Sequence, residues 1–407
     1  MRYGDQYARI YVVEYLGMTY TDEQGNTYGQ TTGATIKYQA PFQLPIKIAS
    51  TSLTFTSDAG SQSLQFENPT TATVEEKPEW CEVTRTETEI TVSVSENLTA
   101  TQRTGEIVLK NTANSVTINV TQKGASSPKF QAGSGTVQDP YQITNAQQLK
   151  YISKALNAHF VLTADISLNE EAAGSGWDPI GKQETPFTGT LDGQGHSIKN
   201  MWMKRPTTNG VGLFGYTQYA TKMNVCLETS SVGINGSSYV GGLCGYARGG
   251  SFTNCYFSGI ISGSNYVSGI CGEAPDVTIS QCYTDGTASS VNWVSGIINR
   301  ATVSDCFSTM SLTGDNINGI GGNSVTKCYY AGKATLLHNY NSFYCQGTYT
   351  YFDNSIVGTS RISSSSNNCA RTTSQMKTQS NYEGWDFASV WKITEGKTYP
   401  TLRCFDK

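Results

Sequence analysis

A short motif returns at nearly fixed intervals through the middle of the chain, and this periodicity limits the fold more than any other feature. Val211-Gly212-Leu213-Phe214-Gly215-Tyr216 recurs as Val240-Gly241-Gly242-Leu243-Cys244-Gly245-Tyr246. It recurs again as Val267-Ser268-Gly269-Ile270-Cys271-Gly272 and as Val294-Ser295-Gly296-Ile297-Ile298, and Ile317-Asn318-Gly319-Ile320-Gly321-Gly322 is a worn copy. The steps are 29, 27, 27 and 23 residues. A second column runs beside it: Asn254-Cys255-Tyr256, Gln281-Cys282-Tyr283, Asp305-Cys306-Phe307 and Lys327-Cys328-Tyr329, with Asn224-Val225-Cys226 one step earlier.

A period of this length holding several short strands describes stacked coils. No coil can bury its own inward face, so each strand pairs with the coils above and below, about 4.8 Å away. Sharp corners require small residues, which accounts for the glycines. Equivalent positions then stack as ladders. Cys255, Cys282, Cys306 and Cys328 share one slot beside Phe252, Ile279, Val303 and Val325. The spacing predicts that they face inward as small hydrophobes. Because Val225 fills the slot in an earlier coil, packing suffices there and free thiols are expected. Disulfides between neighbouring coils are the other reading that the ladder spacing allows.

The residue before each apolar–glycine motif is Tyr239, Tyr266, Trp293 and then Asn316. Each precedes an inward residue, so each should point outward. Tyr239, Tyr266 and Trp293 thus predict an aromatic column on the surface. Tyr256, Tyr283, Phe307 and Tyr329 predict a second. Flat rings stack on sugar faces and supply contact area at low entropic cost. The columns are candidate glycan contacts; the alternative is ladders that only stabilise coil edges.

Composition fits this reading. Of 407 residues, 41 are Gly and 24 Tyr, while only 15% are charged, which suits strands and turns. A net charge of −4 leaves no electrostatic footprint for nucleic acid. No apolar run is long enough for membrane insertion. No apolar core of leader length follows Met1-Arg2-Tyr3-Gly4-Asp5. The expectation is a trimmed fragment or a protein exported by no leader-dependent route.

The flanks divide into further segments. Residues 1–45 are rich in Tyr and Thr, with a turn signal at Asp22-Glu23-Gln24-Gly25-Asn26. They read as a β-arm: an ordinary hairpin, or a segment attaching to other structural proteins or to a second copy of the chain. Residues 46–124 hold short alternating strands such as Glu89-Ile90-Thr91-Val92-Ser93-Val94, the pattern of a β-sandwich. Residues 125–128 form a linker, and 129–405 the solenoid unit. Thr144 or Asn145 caps an amphipathic helix bearing Leu149, Ile152 and Leu156, suited to cover the solenoid's open end. Residues 336–368 depart from the period, and an exposed loop is expected over Ser363–Ser366.

Two segments resemble known families. Glu79-Trp80-Cys81-Glu82-Val83, Glu96-Asn97, Arg103-Thr104-Gly105-Glu106-Ile107 and Thr121-Gln122-Lys123-Gly124 resemble the BACON domain. That likeness implies an immunoglobulin-like sandwich of the kind found in surface proteins of gut Bacteroidetes and their phages, either a spacer or a binder of mucin and other glycans. The coils, the lead-in Pro186–Asn200 and the ending Gly384–Leu402 are similar to GLUG-repeat proteins. That likeness implies a right-handed parallel β-helix, a C-terminal cap and no shared catalytic residues. The expected fold is therefore all-β: an immunoglobulin-like sandwich followed by a parallel β-helix with a capping helix.

The sequence predicts no catalytic site. Paired carboxylates for glycoside hydrolysis stand some 5–9.5 Å apart, yet Asp276, Asp285, Asp305 and Asp315 occupy different slots of their coils. His159, His196 and His338 lie far apart in sequence. No CxxC pair, HExxH, EF-hand loop or P-loop appears, so no metal and no cofactor is expected. Three readings follow: a non-enzymatic adhesion or decoration protein on a bacteriophage virion, an adhesin of the bacterial cell surface, or a polysaccharide-degrading β-helix enzyme. Glycans or mucin are the expected partners of the first two.

Overall fold

The computed structural model describes residues 2–3, 6–125, 129–169, 174–338, 342–359 and 361–406, with side chains described outside 2–20, 28–42 and 367. The chain divides into two units, Met1–Pro128 and Lys129–Lys407.

In the first unit, strands Gln6–Thr21 and Thr27–Phe42 pair antiparallel as a long hairpin. Its turn falls on the predicted residues. Asp22 Oδ1 accepts the backbone N–H of Gln24 and Asn26 at 3.0 and 2.8 Å, and Gly25 takes the left-handed conformation with φ 84°. A sandwich follows. One sheet runs in the order Ser52–Phe55, Ser115–Gln122, Arg103–Lys110, Thr73–Glu76, and the other Gly60–Gln65, Glu89–Val94, Cys81–Arg85. Alternating residues of both sheets, among them Leu53, Ile90, Val92, Ile107 and Ile118, form the core. Arg103 is buried, yet its Nε donates to Gln122 Oε1 at 2.8 Å and its guanidinium lies 4.6 Å from the Trp80 ring. Trp80 is therefore half-buried packing under a cation, consistent with a structural role.

The second unit is the solenoid. Among the described residues, parallel strands form sheets of nine, eleven and five strands, one along each face. One coil shows the pattern. Cys244–Thr253 lies on the first face, Tyr256–Gly263 on the second and Asn265–Ser268 on the third. The next coil pairs in parallel register with Phe252 opposite Ile279, Tyr256 opposite Tyr283 and Val267 opposite Val294. Val211, Val240, Val267, Val294 and Ile317 are all fully buried, as the motif predicts. Two glycines show why the corner admits no side chain. A Cβ on Gly245 would stand 2.4 Å from Val211 N, and one on Gly272 2.5 Å from Val240 N.

The coils begin earlier than the motif and end later. Tyr141–Ile143 already pairs with His159–Leu162, and a Phe130–Tyr141 stack covers Phe160 and the rings behind it. The predicted helix is short, Ala146–Tyr151, with Asn145 as its N-cap and Leu149 and Ile152 fully buried. At the other end the coils continue through the aperiodic region: Tyr351–Asp353 pairs with Tyr329–Tyr330 and then with Ala370–Arg371. Ser363–Ser366 is not simply an exposed loop. Ser366 is buried, and its hydroxyl accepts the Cys345 N–H at 2.9 Å.

The cysteine column is inward and its thiols are free, but packing is not its whole role. The N–H of Cys255 donates to Cys282 Sγ at 3.3 Å, Cys282 N–H to Cys306 Sγ at 3.3 Å, and Cys306 N–H to Cys328 Sγ at 3.4 Å. Each thiol in turn donates to the carbonyl two residues back, at 3.1–3.3 Å. Burial holds the Cys255 and Cys306 thiols well above their usual range, so they remain protonated donors. In the next coil Thr350 takes over with both bonds: it accepts Cys328 N–H at 3.4 Å and donates to Thr348 O at 3.3 Å. From Cys255 to Thr350 the slot holds a small side chain with a hydroxyl or thiol that bonds both ways along the column, while Val225 fills the earlier coil by packing alone. Lys222 is a charged group buried in the interior. Fully buried, it donates to Thr217 Oγ1 at 3.0 Å and lies 4.4 Å from the Phe252 ring, and burial pushes its pKa down.

These bonds predict an order of substitutions that packing alone does not. Cys282→Ser preserves the donor and acceptor and should cost under about 1 kcal/mol, whereas Cys282→Val orphans the Cys255 N–H and should cost about 1–3 kcal/mol. Urea unfolding of the full chain checks this. A valine variant as stable as the serine variant would show that the slot asks only for volume.

Candidate functional site

The two aromatic columns meet different fates. On the second face the rings stack closely: Tyr256–Tyr283 at 4.1 Å, Tyr283–Phe307 at 4.8 Å and Phe307–Tyr329 at 5.0 Å. The C-terminal segment lies over them. Phe405 sits edge-on to Tyr283 at 4.7 Å, and Trp391 lies 6.1 Å from both Phe307 and Tyr329. Tyr329 is 1% exposed and donates its hydroxyl to Pro400 O at 2.8 Å. The segment predicted as an end cap therefore packs along this face. Tyr329 is enclosed and offers no ring to a ligand; Tyr283 is edged by Phe405, and Tyr256 sends its hydroxyl to Asp285 Oδ2 at 3.3 Å. The column holds the tail in place.

The first column stays open. Tyr239 and Tyr266 are half-buried and stack at 5.6 Å with 13° between planes, while Trp293 on the next coil is 41% exposed. Tyr239 and Tyr266, each the second residue of its third-face strand, both take positive φ, 58° and 52°, which turns the chain sharply at that edge of the third face. Around that edge the structure adds rings. Tyr246 sits edge-on to Tyr239 at 5.5 Å, and Tyr216 lies 5.9 Å from Tyr246. Tyr216 and Tyr246 are register partners, as are Gln218 and Arg248 two positions on, so all four project from the same side of the first face. Gly249 has φ 64°, and Tyr219, 68% exposed, lays its ring over it.

Tyr216, Tyr239, Tyr246, Gln218 and Arg248 line a groove of about 390 Å³. Burial raises the Tyr216 and Tyr239 phenols above their usual range, so both remain neutral donors at physiological pH. Glu273, buried at the base of this edge, is paired with Arg300 at 3.0 Å. The sequence held the signal for Tyr216 and Tyr246, since both close a copy of the motif. Their direction follows only from the register, which places them beside Tyr239. The structure also places the titratable groups apart. His159, His196 and His338 reach Thr190, Asp165 and Asp315 respectively. Asp285 accepts Ser258 Oγ at 2.6 Å, and Asp305 accepts Trp391 Nε1 at 3.2 Å. Among the described residues no group of three or more His, Cys, Asp or Glu side chains is gathered as metal ligands would be, and no helix is long and apolar enough to cross a membrane.

Comparison with known proteins supports the architecture. Residues 70–123 match the BACON family model, described as "Putative binding domain, N-terminal", and residues 236–262 match "The GLUG motif". The chain thus carries a BACON domain ahead of a GLUG-repeat β-solenoid. Over 129 residues, 29% of the chain, it is 39% identical to halomucin of Haloquadratum walsbyi. Over 127 residues, 30% of the chain, it is 33% identical to a protein of Evansella cellulosilytica named "Putative Gly-rich membrane protein". The matches span only 1% and 15% of those relatives' own lengths. An NMR structure of a protein from Bacteroides thetaiotaomicron aligns with 22% of this chain and 94% of its own, at 15% identity and a TM-score of 0.17.

The tail contact generates a pH prediction. Burial raises the Asp305 pKa, against the smaller opposing effect of its bond from Trp391. A raised carboxylate pKa means that the native state holds the proton more tightly than the unfolded state. Stability from this group is present below the unfolded value near 3.9 and is lost as pH rises through the folded value. Asp305→Asn keeps an acceptor for Trp391 and removes the charge. It should melt at or above the wild-type temperature at pH 7, with the difference narrowing toward pH 4. A variant less stable at pH 7 than the wild type would overturn this.

Proposed function

We propose that the chain is a non-catalytic surface adhesin whose solenoid presents an aromatic edge to glycans, host-surface or mucin glycans among them. The observation that carries this is the open column Tyr239, Tyr266 and Trp293, displayed on a stack of coils while the parallel column beside it is covered by the chain's own tail. Stacked coils hold successive rings one strand spacing apart, which suits an extended polymer better than a compact small molecule. A non-catalytic reading is supported by the carboxylates. Asp285, Asp305 and Asp315 each engage a separate structural partner, and of the two carboxylates that share a groove, Asp178 and Glu184, Asp178 is held by Arg205 at 3.1 Å.

The names of the two relatives, a halomucin and a Gly-rich membrane protein, favour display at a cell surface. A bacteriophage virion fibre or decoration protein is the second reading, favoured by the long hairpin that precedes the sandwich and offers a segment for attachment to other structural proteins or to a second copy.

Tyr239→Ala, Tyr266→Ala and Trp293→Ala combined should lower binding on a glycan and mucin array on the order of 100-fold, taking about 1 kcal/mol per stacked ring. Unchanged binding would sink the assignment of this edge. Incubation with mucin and plant polysaccharides should release no new reducing ends or unsaturated products.

A further inference from the structure

We propose that the groove between Tyr216 and Tyr239 is a subsite for an anionic sugar, with Arg248 as the contact to its carboxylate or sulfate. This rests on the reading of the aromatic edge as a glycan site and specifies its ligand class. Three observations carry it.

The first is the state of Arg248. The other arginines along this edge are satisfied: Arg300 pairs with Glu273 at 3.0 Å and Arg205 with Asp178 at 3.1 Å. Arg248 is exposed, its register partner is the uncharged Gln218, and among the described residues it has neither an ion pair nor a side-chain hydrogen bond. An unpaired guanidinium offers a planar fork of donors that fits a carboxylate or sulfate better than a neutral hydroxyl.

The second is what surrounds it. The groove, of about 390 Å³, falls in the size range of small-ligand pockets, about 300–1,000 Å³. Tyr216, Tyr239 and Tyr246 form its walls with rings 5.5–5.9 Å apart, and Gln218 supplies an amide beside Arg248. Apolar ring faces with polar groups at the rim match a pyranose, which has an apolar face and a polar circumference. No carboxylate lines the groove to compete for Arg248.

The third is continuity. A second groove, also about 390 Å³, shares Tyr216 and Gln183 with the first. It contains Glu184 and the Arg205–Asp178 pair. A chain of sugars crossing Tyr216 would pass from a mixed-charge subsite into one whose sole charged lining group is Arg248. The anionic unit therefore belongs beside Tyr239.

Calorimetric titration of the full chain with polygalacturonate, dextran sulfate and neutral dextran tests this. The first two separate carboxylate from sulfate, and the third reports the aromatic edge without charge. The wild type should bind at least one anionic polymer more tightly than dextran, and Arg248→Gln should weaken that binding about tenfold or more while leaving dextran unaffected. Arg248→Lys should recover only part of the loss. Arg248 is exposed, so its variants should melt with the wild type. Arg248→Gln binding the anionic polymers as the wild type does overturns the subsite, and the aromatic edge is then judged separately by its own alanine variants. No preference for an anionic polymer also overturns it. Binding to none of the three polymers or to the mucin array overturns both readings.

Discussion

No coil of this solenoid can satisfy its own backbone. Along the paired strands of the three faces, N–H and C=O groups find their partners in the coil above or below, so one coil alone would leave a row of open donors and acceptors. The corner between the first and second faces shows how strict this is. Asn224, Asn254, Gln281, Asp305, Lys327 and Tyr349 all adopt φ of 50–54°, which costs roughly 1–2 kcal/mol per non-glycine residue. The next residue, cysteine in four successive coils, donates its N–H to a side chain one coil away: a cysteine sulfur from Cys255, Cys282 and Cys306, and the Thr350 hydroxyl from Cys328. In those four coils strain at the corner is offset by a bond that exists only in the stack.

Much of this was legible in the sequence. The step of 27 residues and the inward valines follow from a pattern that repeats. The hairpin turn at Asp22–Asn26 follows from residues whose side chains bond their own backbone. The hydrogen-bonding role of the cysteines was not legible, because a thiol serving as packing and a thiol serving as donor and acceptor look alike in a sequence. Val225 in the same slot argued for packing, and it was Thr350, outside the visible period, that carried the opposite message.

The aromatic columns divide along the same line. Alternation correctly placed Tyr239, Tyr266, Tyr256 and Tyr283 outward. It could not tell which face the tail would cover, because the contact from Asp305 to Trp391 spans 86 residues and leaves no periodic trace. Nor could it bring Tyr216 and Tyr246 to Tyr239, since these lie on different faces and meet only where the chain turns between them. The result is a solenoid with one aromatic face consumed by its own packing and one aromatic edge left open.

That polarity is the centre of the account, and hydrogen exchange of the full chain with and without polygalacturonate tests it most directly. The account predicts added protection confined to the backbone of 214–223, 238–241 and 244–253, around the groove, with 256–263 and 283–290 on the tail-covered face unchanged. Added protection on the tail-covered face or in the sandwich, with none around the groove, would contradict it.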